Sequence, residues 1–290
     1  MEKRDRQKAG ERSQRCGRKR VGAVLEQRYS AAQERPGREE EAGQESLADG
    51  LIEGRTAVTE ALRAGAPIDK IYVSRGDTDR TLSKIVALAK QSGIVVADTD
   101  HRKLDAMSRT HAHQGVIAVA AVREYASVEE ILRVAEERGE APLLVICDEL
   151  SDPHNLGAVI RTAECAGAHG VIIPKRRSAG LTAVVDKTSA GALEHMAVAR
   201  VPNLAAAIET LKKNGLWIYG TAAEGANELW KTDLTGPACI VIGSEGTGIS
   251  RLVREKCDFL VSIPLRGQIS SLNASAAAAV LLYEALRQRS

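Results

Sequence analysis

Short runs of Val, Ile and Leu recur through the second half of the chain, at Leu143–Cys147, Gly170–Ile173, Ala197–Val201, Leu216–Tyr219, Cys239–Ile242 and Phe259–Ile263. They are apolar throughout rather than alternating, and helix-length segments separate them. This pattern predicts parallel strands in a sheet covered by helices on both faces. A first, smaller unit precedes it: helix at Gly54–Leu62, strand at Lys70–Val73, helix at Thr81–Gln91, strands at Ile94–Ala97 and Gly115–Val122. The Glu-rich stretch from Tyr125 to Ala141, with Gly139 ahead of Pro142, reads as a connecting helix. The last helix, Asn273 to about Arg289, is rich in alanine and carries Leu281, Leu282 and Leu286. Alanines allow close approach, so this helix suits packing on a second subunit or within the chain.

Residues 1–46 lack apolar periodicity, begin basic and turn acidic through Glu34, Glu39, Glu40, Glu41 and Glu45. They read as a charged, disordered leader; a basic arm adding phosphate contacts to RNA is the functional alternative. The expected organisation is leader 1–46, a small α/β unit 47–123, a linker 124–141 and a larger α/β unit 142–290. At 290 residues and 44% apolar content, two such units can each bury a core.

Lys and Arg number 40 against 38 Asp and Glu, so a formal charge of +2 does not announce a nucleic-acid binder, and any RNA surface must be local. Lys175-Arg176-Arg177, directly after a strand, is such a patch. Five widely spaced cysteines, Cys16, Cys147, Cys165, Cys239 and Cys257, form no C-x-x-C pair and predict reduced, buried thiols in a cytoplasmic protein. No run approaches the ~20 apolar residues of a membrane span, and no apolar segment follows the basic start, which argues against a secretory signal.

Three loops beside apolar strands carry the candidate chemistry, where α/β proteins place ligand groups. Gly243-Ser-Glu-Gly-Thr-Gly248 has P-loop spacing, but Ile249 stands where the phosphate-binding lysine belongs. The dinucleotide fingerprint fails too, with Arg251 in place of the third glycine. A tight turn remains, presenting Glu245. Asp152-Pro-His-Asn155 opens a helix with Asn155 as the expected N-cap, and Arg161 follows on that helix, suited to clamp a phosphate. Ile263-Pro264 closes a strand; Leu265 to Asn273 then forms a polar loop, in which Ser271 and Asn273 also qualify as caps. His111-Ala-His113 has ligand-like spacing without a supporting Cys or carboxylate cluster, so no metal is expected. G-x-S-x-G is missing, which weakens a serine-hydrolase reading.

Gly54-Arg-Thr-Ala-Val58, His113-Gln-Gly115, Asp152-Pro-His-Asn-Leu-Gly-Ala158, Ile173-Pro-Lys175, Gly220-Thr-Ala222 and Ser271-Leu-Asn273 occur together, in order. With them, the chain from about Leu51 to Arg289 resembles the SpoU (TrmH-like) branch of the SPOUT superfamily, within it the bacterial 23S ribosomal RNA guanosine-2′-O-methyltransferases. Ser244 and Ala274 stand where relatives often have Ala and Val, and the leader lies outside the family core. The resemblance implies a ribosomal-protein-like RNA-binding domain followed by an α/β, mostly parallel-sheet domain tied in a trefoil knot, with homodimers formed through the knotted part. Sequence physics alone would not predict a knot.

By the same resemblance S-adenosylmethionine is the cofactor, held by Thr221, Ala222, Gly243, Gly246, Ile263, Leu265 and Leu272. Arg161, Asn155, Glu245, Ser271 and Asn273 would form the catalytic surface, and Lys175, Arg176 and Arg177 would meet RNA. The implied reaction aligns a ribose 2′-hydroxyl with a sulfonium methyl group, and positioning alone can supply ~7–11 kcal/mol. Arg161 either holds the adjacent phosphate or assists deprotonation; its high pKa favours the clamp. The alternatives are a transfer-RNA or antibiotic-resistance 2′-O-methyltransferase, or a non-catalytic RNA-binding assembly factor.

Overall fold

The computed structural model describes residues 50–76, 79–222 and 226–290, so the expected leader lies outside the described residues. Residues 46–290 form one compact unit built on two sheets. In the smaller, β1 (Leu51–Glu53), β2 (Ile68–Ser74), β3 (Val95–Thr99) and β4 (Val116–Ala120) take the order β1-β4-β2-β3. β4 runs antiparallel to β1 and β2, whereas β2 and β3 are parallel. Helices α1 (Arg55–Arg63) and α2 (Arg80–Gln91) bury Val58, Leu62, Leu82, Ile85 and Ala89 against Ile71, Val73, Val116 and Ala118. Asp79 starts α2 by accepting from Thr81 N–H. A further helix, α3 (His101–Met107), was not legible in the sequence.

The connecting stretch is not a tether. Ser127 and Glu130 form a reciprocal capping box that starts helix α4 (Val128–Arg138), and Gly139 ends it in the left-handed region at φ 66°. Val128 and Ile131 are buried in the core of the second sheet.

That sheet has seven strands: β5 (Leu143–Cys147), β6 (Gly170–Pro174), β7 (Val198–Val201), β8 (Trp217–Thr221), β9 (Asn227–Glu228), β10 (Ala238–Ile242) and β11 (Phe259–Ser262), in the order β7-β6-β5-β10-β8-β11-β9. Every pairing is parallel. The central pair β5 and β10 is buried at every residue, as a sheet covered on both faces requires. On one face Leu143, Val145, Cys147, Ile240 and Ile242 pack on α5 (Pro153–Cys165), α6 (Ala183–Ser189) and α9 (Ala274–Arg289). On the other, Leu144, Ile146, Cys239 and Val241 meet α4, α7 (Leu204–Lys213) and α8 (Arg251–Lys256).

Two expectations need correction. Asn155 does not cap α5: Asp152 does, its carboxylate accepting from His154 and Asn155 N–H, with Pro153 in the first turn where its missing N–H costs nothing. Nor are all the thiols buried, because Cys165 at the end of α5 is exposed, although Cys147 and Cys239 are enclosed.

Candidate active site

Adjacent strand ends build the site. β10 stops at Ile242, β8 at Thr221 and β11 at Ser262, and beyond them opens a cleft of about 530 Å³, within the range of small-ligand pockets. Its floor is the turn Gly243–Gly248, closed on itself by Ser244 N–H to Gly248 O at 3.1 Å and Gly248 N–H to Ser244 O at 2.9 Å. Glycine is required at 243, since a Cβ there would lie 2.1 Å from the Gly248 carbonyl carbon and 2.2 Å from Ile249 N. The buried Asp148 carboxylate at the end of β5 accepts Ser250 N–H at 2.7 Å and ties the exit of this loop to the sheet.

Glu245 stands on that turn. Its Oε1 accepts from Asn155 Nδ2 at 3.1 Å and Asn273 Nδ2 at 2.6 Å, with Ala274 N–H at 3.5 Å. Asn273 Nδ2 also reaches Asn155 Oδ1 at 2.9 Å. Asn273 Oδ1 meanwhile caps α9, accepting from Ser275 N–H at 2.9 Å and Ala276 N–H at 3.2 Å. Three segments far apart in sequence, the first turn of α5, the Gly243–Gly248 turn and the start of α9, are thereby fastened at one carboxylate. These contacts all end on Oε1, which leaves Oε2 to accept from a ligand.

Of the residues singled out from sequence, Thr221, Ala222, Gly243, Gly246, Ile263, Leu265 and Leu272 all line the cleft, as do Glu245 and Ser271. Asn155 and Asn273 hold Glu245 from behind. Arg161 does not join them. Six residues beyond Asn155 it lies about 9 Å along α5 and about 120° around it, and its exposed side chain makes no hydrogen bond or ion pair with the described residues. Arg161 is not among the residues that line the cleft, so of the expected trio the contacts on the page join Glu245 and Asn273.

The basic patch divides too. Lys175 Nζ donates to Gly93 O at 3.3 Å in the smaller unit, Arg177 pairs with Glu149 at 2.8 Å, and Arg176 stands exposed. The Glu149 carboxylate beside Arg177 raises the guanidinium's already high pKa.

The sequence reading missed part of the lining: Ile249 and Val261, apolar wall residues at strand and loop ends, Thr247 and Arg254, and Ala277 one turn into α9. For the aliphatic ones the signal was present as strand-end hydrophobicity, which does not distinguish core from cleft. The mixed lining, with Ile249, Val261 and Ile263 beside Thr221, Ser244 and Ser271, fits a ligand that joins a flat ring to a charged, hydrogen-bonding tail.

His101, Asp105 and His113 gather in the smaller unit, with ligating atoms within 4.8 Å of one another. His113 Nδ1 accepts Gly115 N–H at 3.1 Å, so in the neutral ring Nε2 carries the proton and donates it to Asp105 at 3.0 Å. A cation at Nε2 would have to displace that proton.

Residues 142–283 match the family model described as the SpoU rRNA methylase family, and residues 51–126 one described as RNA 2′-O ribose methyltransferase substrate binding. YacO of Bacillus subtilis (strain 168), assigned to the TrmH family of tRNA/rRNA methyltransferases, is 46% identical over 236 residues, covering 81% of this chain and 94% of its own. The chain belongs to the SpoU (TrmH) family of RNA methyltransferases. A TrmH family relative from Staphylococcus aureus (strain MSSA476) is 45% identical over 243 residues, covering 84% of this chain and 98% of its own. Among solved structures, the SpoU methyltransferase AviRb from Streptomyces viridochromogenes in complex with AdoMet shares the fold at TM-score 0.52 and 26% identity, covering 91% of this chain and 97% of that one. The family is S-adenosylmethionine-dependent. Among the described residues of this SpoU-family methyltransferase, no helix is long and apolar enough to cross a membrane.

Proposed function

We propose that this methyltransferase transfers the methyl group of S-adenosylmethionine to a ribose 2′-hydroxyl of RNA, with a guanosine of 23S ribosomal RNA as target, and that it works as a cytoplasmic homodimer. The observation that carries this reading is the Asn155–Glu245–Asn273 network at the mouth of a cleft lined by the family's motif residues. Bound S-adenosylmethionine supplies an electrophilic sulfonium methyl. Thr221, Gly243, Ile263, Leu265 and Leu272 would hold it against the strand ends. Glu245, its Oε1 fixed by two amides, offers Oε2 to the hydroxyl proton and so orients the oxygen for in-line attack. Transfer would leave the electron pair of the broken S–C bond on sulfur, and Glu245 Oε2 would take up the hydroxyl proton or pass it to water.

Asn155 and Asn273 act through Glu245, and Ser271, on the cleft lining, is assigned to donate to the nucleotide. Arg161, exposed on α5, and Arg176 are assigned to RNA phosphates; a guanidinium clamps them without needing to lose a proton. The dimer reading is supported by Ala276, Ala279, Val280 and Tyr283, which form one partly exposed stripe along α9.

Tritium transfer from labelled S-adenosylmethionine, run in parallel on unmodified large-subunit ribosomal RNA and on bulk transfer RNA, tests the substrate. Label in the 23S molecule, lost in Arg161→Ala, supports the proposal. Label in transfer RNA alone moves the enzyme to the other substrate, and tight RNA binding without transfer supports an assembly factor.

A further inference from the structure

A polar contact joins the two sheets at the edge strand of the larger one, three strands along from the cleft. β2 breaks register with β4 between Ile68 and Lys70, and at this irregularity Ile68 and Asp69 are both buried where a regular strand would turn one of them outward. Asp69 Oδ1 meets Arg200 of β7 at 2.7 Å, and the two side chains are only 6% and 7% exposed. The same guanidinium donates to Asp69 O at 2.9 Å and to Lys175 O at 3.3 Å, and lies 5.2 Å from the centre of the Tyr125 ring. Tyr125 Oη donates to Asp69 Oδ1 at 2.8 Å and accepts Leu181 N–H at 2.9 Å. Backbone bonds flank it on both sides, Val122 N–H to Leu181 O at 2.8 Å and Ala126 N–H to Val198 O at 2.9 Å. Gly180 leaves the room: a Cβ there would lie 1.8 Å from Asp69 Oδ1.

We infer that Asp69, Arg200 and Tyr125 form an orientation lock that holds the substrate-binding segment at a fixed angle to the methyltransferase sheet, and so positions RNA at the cleft. An interface selected for stability alone would be apolar, because desolvating an ion pair offsets most of its attraction. Here Arg200 Nε is buried without a hydrogen-bond partner among the described residues. What a buried pair does provide is a single geometry, since sliding either sheet strands a charge. β7 is the sheet edge, three strands from β10 and thus roughly 14 Å from the cleft. A small rotation at the lock therefore displaces bound RNA relative to Glu245. These three are positioning residues, and their effect on methylation rests on the function proposed above.

The test pairs amide hydrogen exchange of the full chain with steady-state methylation, using unmodified large-subunit RNA and bulk transfer RNA as probes. In Arg200→Leu, exchange in peptides spanning 121–126 and 179–182 accelerates by more than about tenfold while β5 and β10 stay protected. The same variant loses about 10- to 100-fold in kcat/KM for RNA with S-adenosylmethionine affinity held within about twofold. Tyr125→Phe keeps the ring over Arg200 but removes both hydroxyl bonds, and gives an intermediate effect on both readouts; it decides the matter if Arg200→Leu does not fold. Unchanged exchange across the junction overturns the lock. Faster exchange with unchanged kcat/KM overturns its positioning role. Faster exchange in a protein that methylates neither RNA leaves the lock standing and removes the proposed reaction instead.

Discussion

Asn273 Nδ2 lies 2.6 Å from Glu245 Oε1, while Oδ1 of the same amide caps α9 through Ser275 and Ala276 N–H. One side chain thus starts the last helix and aims the carboxylate of a different loop. The two roles separate by substitution. Asn273→Ala loses both and costs about 1 kcal/mol of stability. Asn273→Asp retains a capping oxygen but places a carboxylate against Glu245. Both lower kcat about 100-fold, yet thermal unfolding places the Asp variant above the Ala variant. Equal activity in Asn273→Asp and wild type would show that Glu245 needs no amide donor.

Gly243 carries the turn that makes the cleft floor. With backbone atoms 2.1 and 2.2 Å from any Cβ, Gly243→Ala must open the turn, at a cost of about 1–3 kcal/mol. Calorimetric titration of S-adenosylmethionine is expected to show at least about tenfold weaker binding, each tenfold being 1.4 kcal/mol. Gly236, outside the cleft, would place a Cβ with nothing within 4 Å; it tolerates alanine and serves as the control.

Glu53 pins the loop that follows α3. Burial pushes its carboxyl up, but hydrogen bonds from Ser108 Oγ, Thr110 Oγ1 and the Arg109 and Thr110 N–H groups outweigh burial and bring it down to about 2 from 4.5. A depressed carboxylate stabilises the fold above its unfolded pKa, and that contribution is lost as pH falls from about 4.5 to 2. Glu53→Gln is expected to melt lower than wild type at neutral pH, by on the order of 1 kcal/mol. The gap should close on acidification through that window; a gap that stays constant with pH would contradict the assignment.

Burial, reinforced by the Asp148 charge, pushes the Cys147 thiol up to about 12, and burial raises Cys239 well above its ordinary value. Thiolate is the reactive form. Iodoacetamide at neutral pH, read by peptide mass spectrometry, is therefore expected to modify exposed Cys165 while sparing Cys147 and Cys239 until the protein is unfolded.

Much of this was legible in the sequence where one physical signal dominated. Continuous apolar runs located six strands of the larger sheet to within two residues, because a parallel sheet covered on both faces makes its strands apolar throughout. The motif loops were legible because small residues beside strand ends have few structural reasons to cluster. Asn155 misled because it sits among capping residues, although Asp152-Pro153 is the stronger helix start. Lys175 and Arg177 looked like free cations since nothing local reveals Gly93 or Glu149 as partners. The Asp69–Arg200 contact could not be read at all: it depends on a strand irregularity and on two residues 131 positions apart. Arg161 was placed by motif, and helical geometry then set it on another face of α5.

The most direct measurement is nucleoside mass spectrometry of RNA incubated with S-adenosylmethionine and either wild type or Glu245→Gln, with cofactor affinity determined alongside. A 2′-O-methylated nucleoside formed by wild type, reduced about 100-fold or more in Glu245→Gln at unchanged cofactor affinity, is the predicted result. A base-methylated product, or full 2′-O-methylation by the variant, would contradict the placement of the reaction at Glu245.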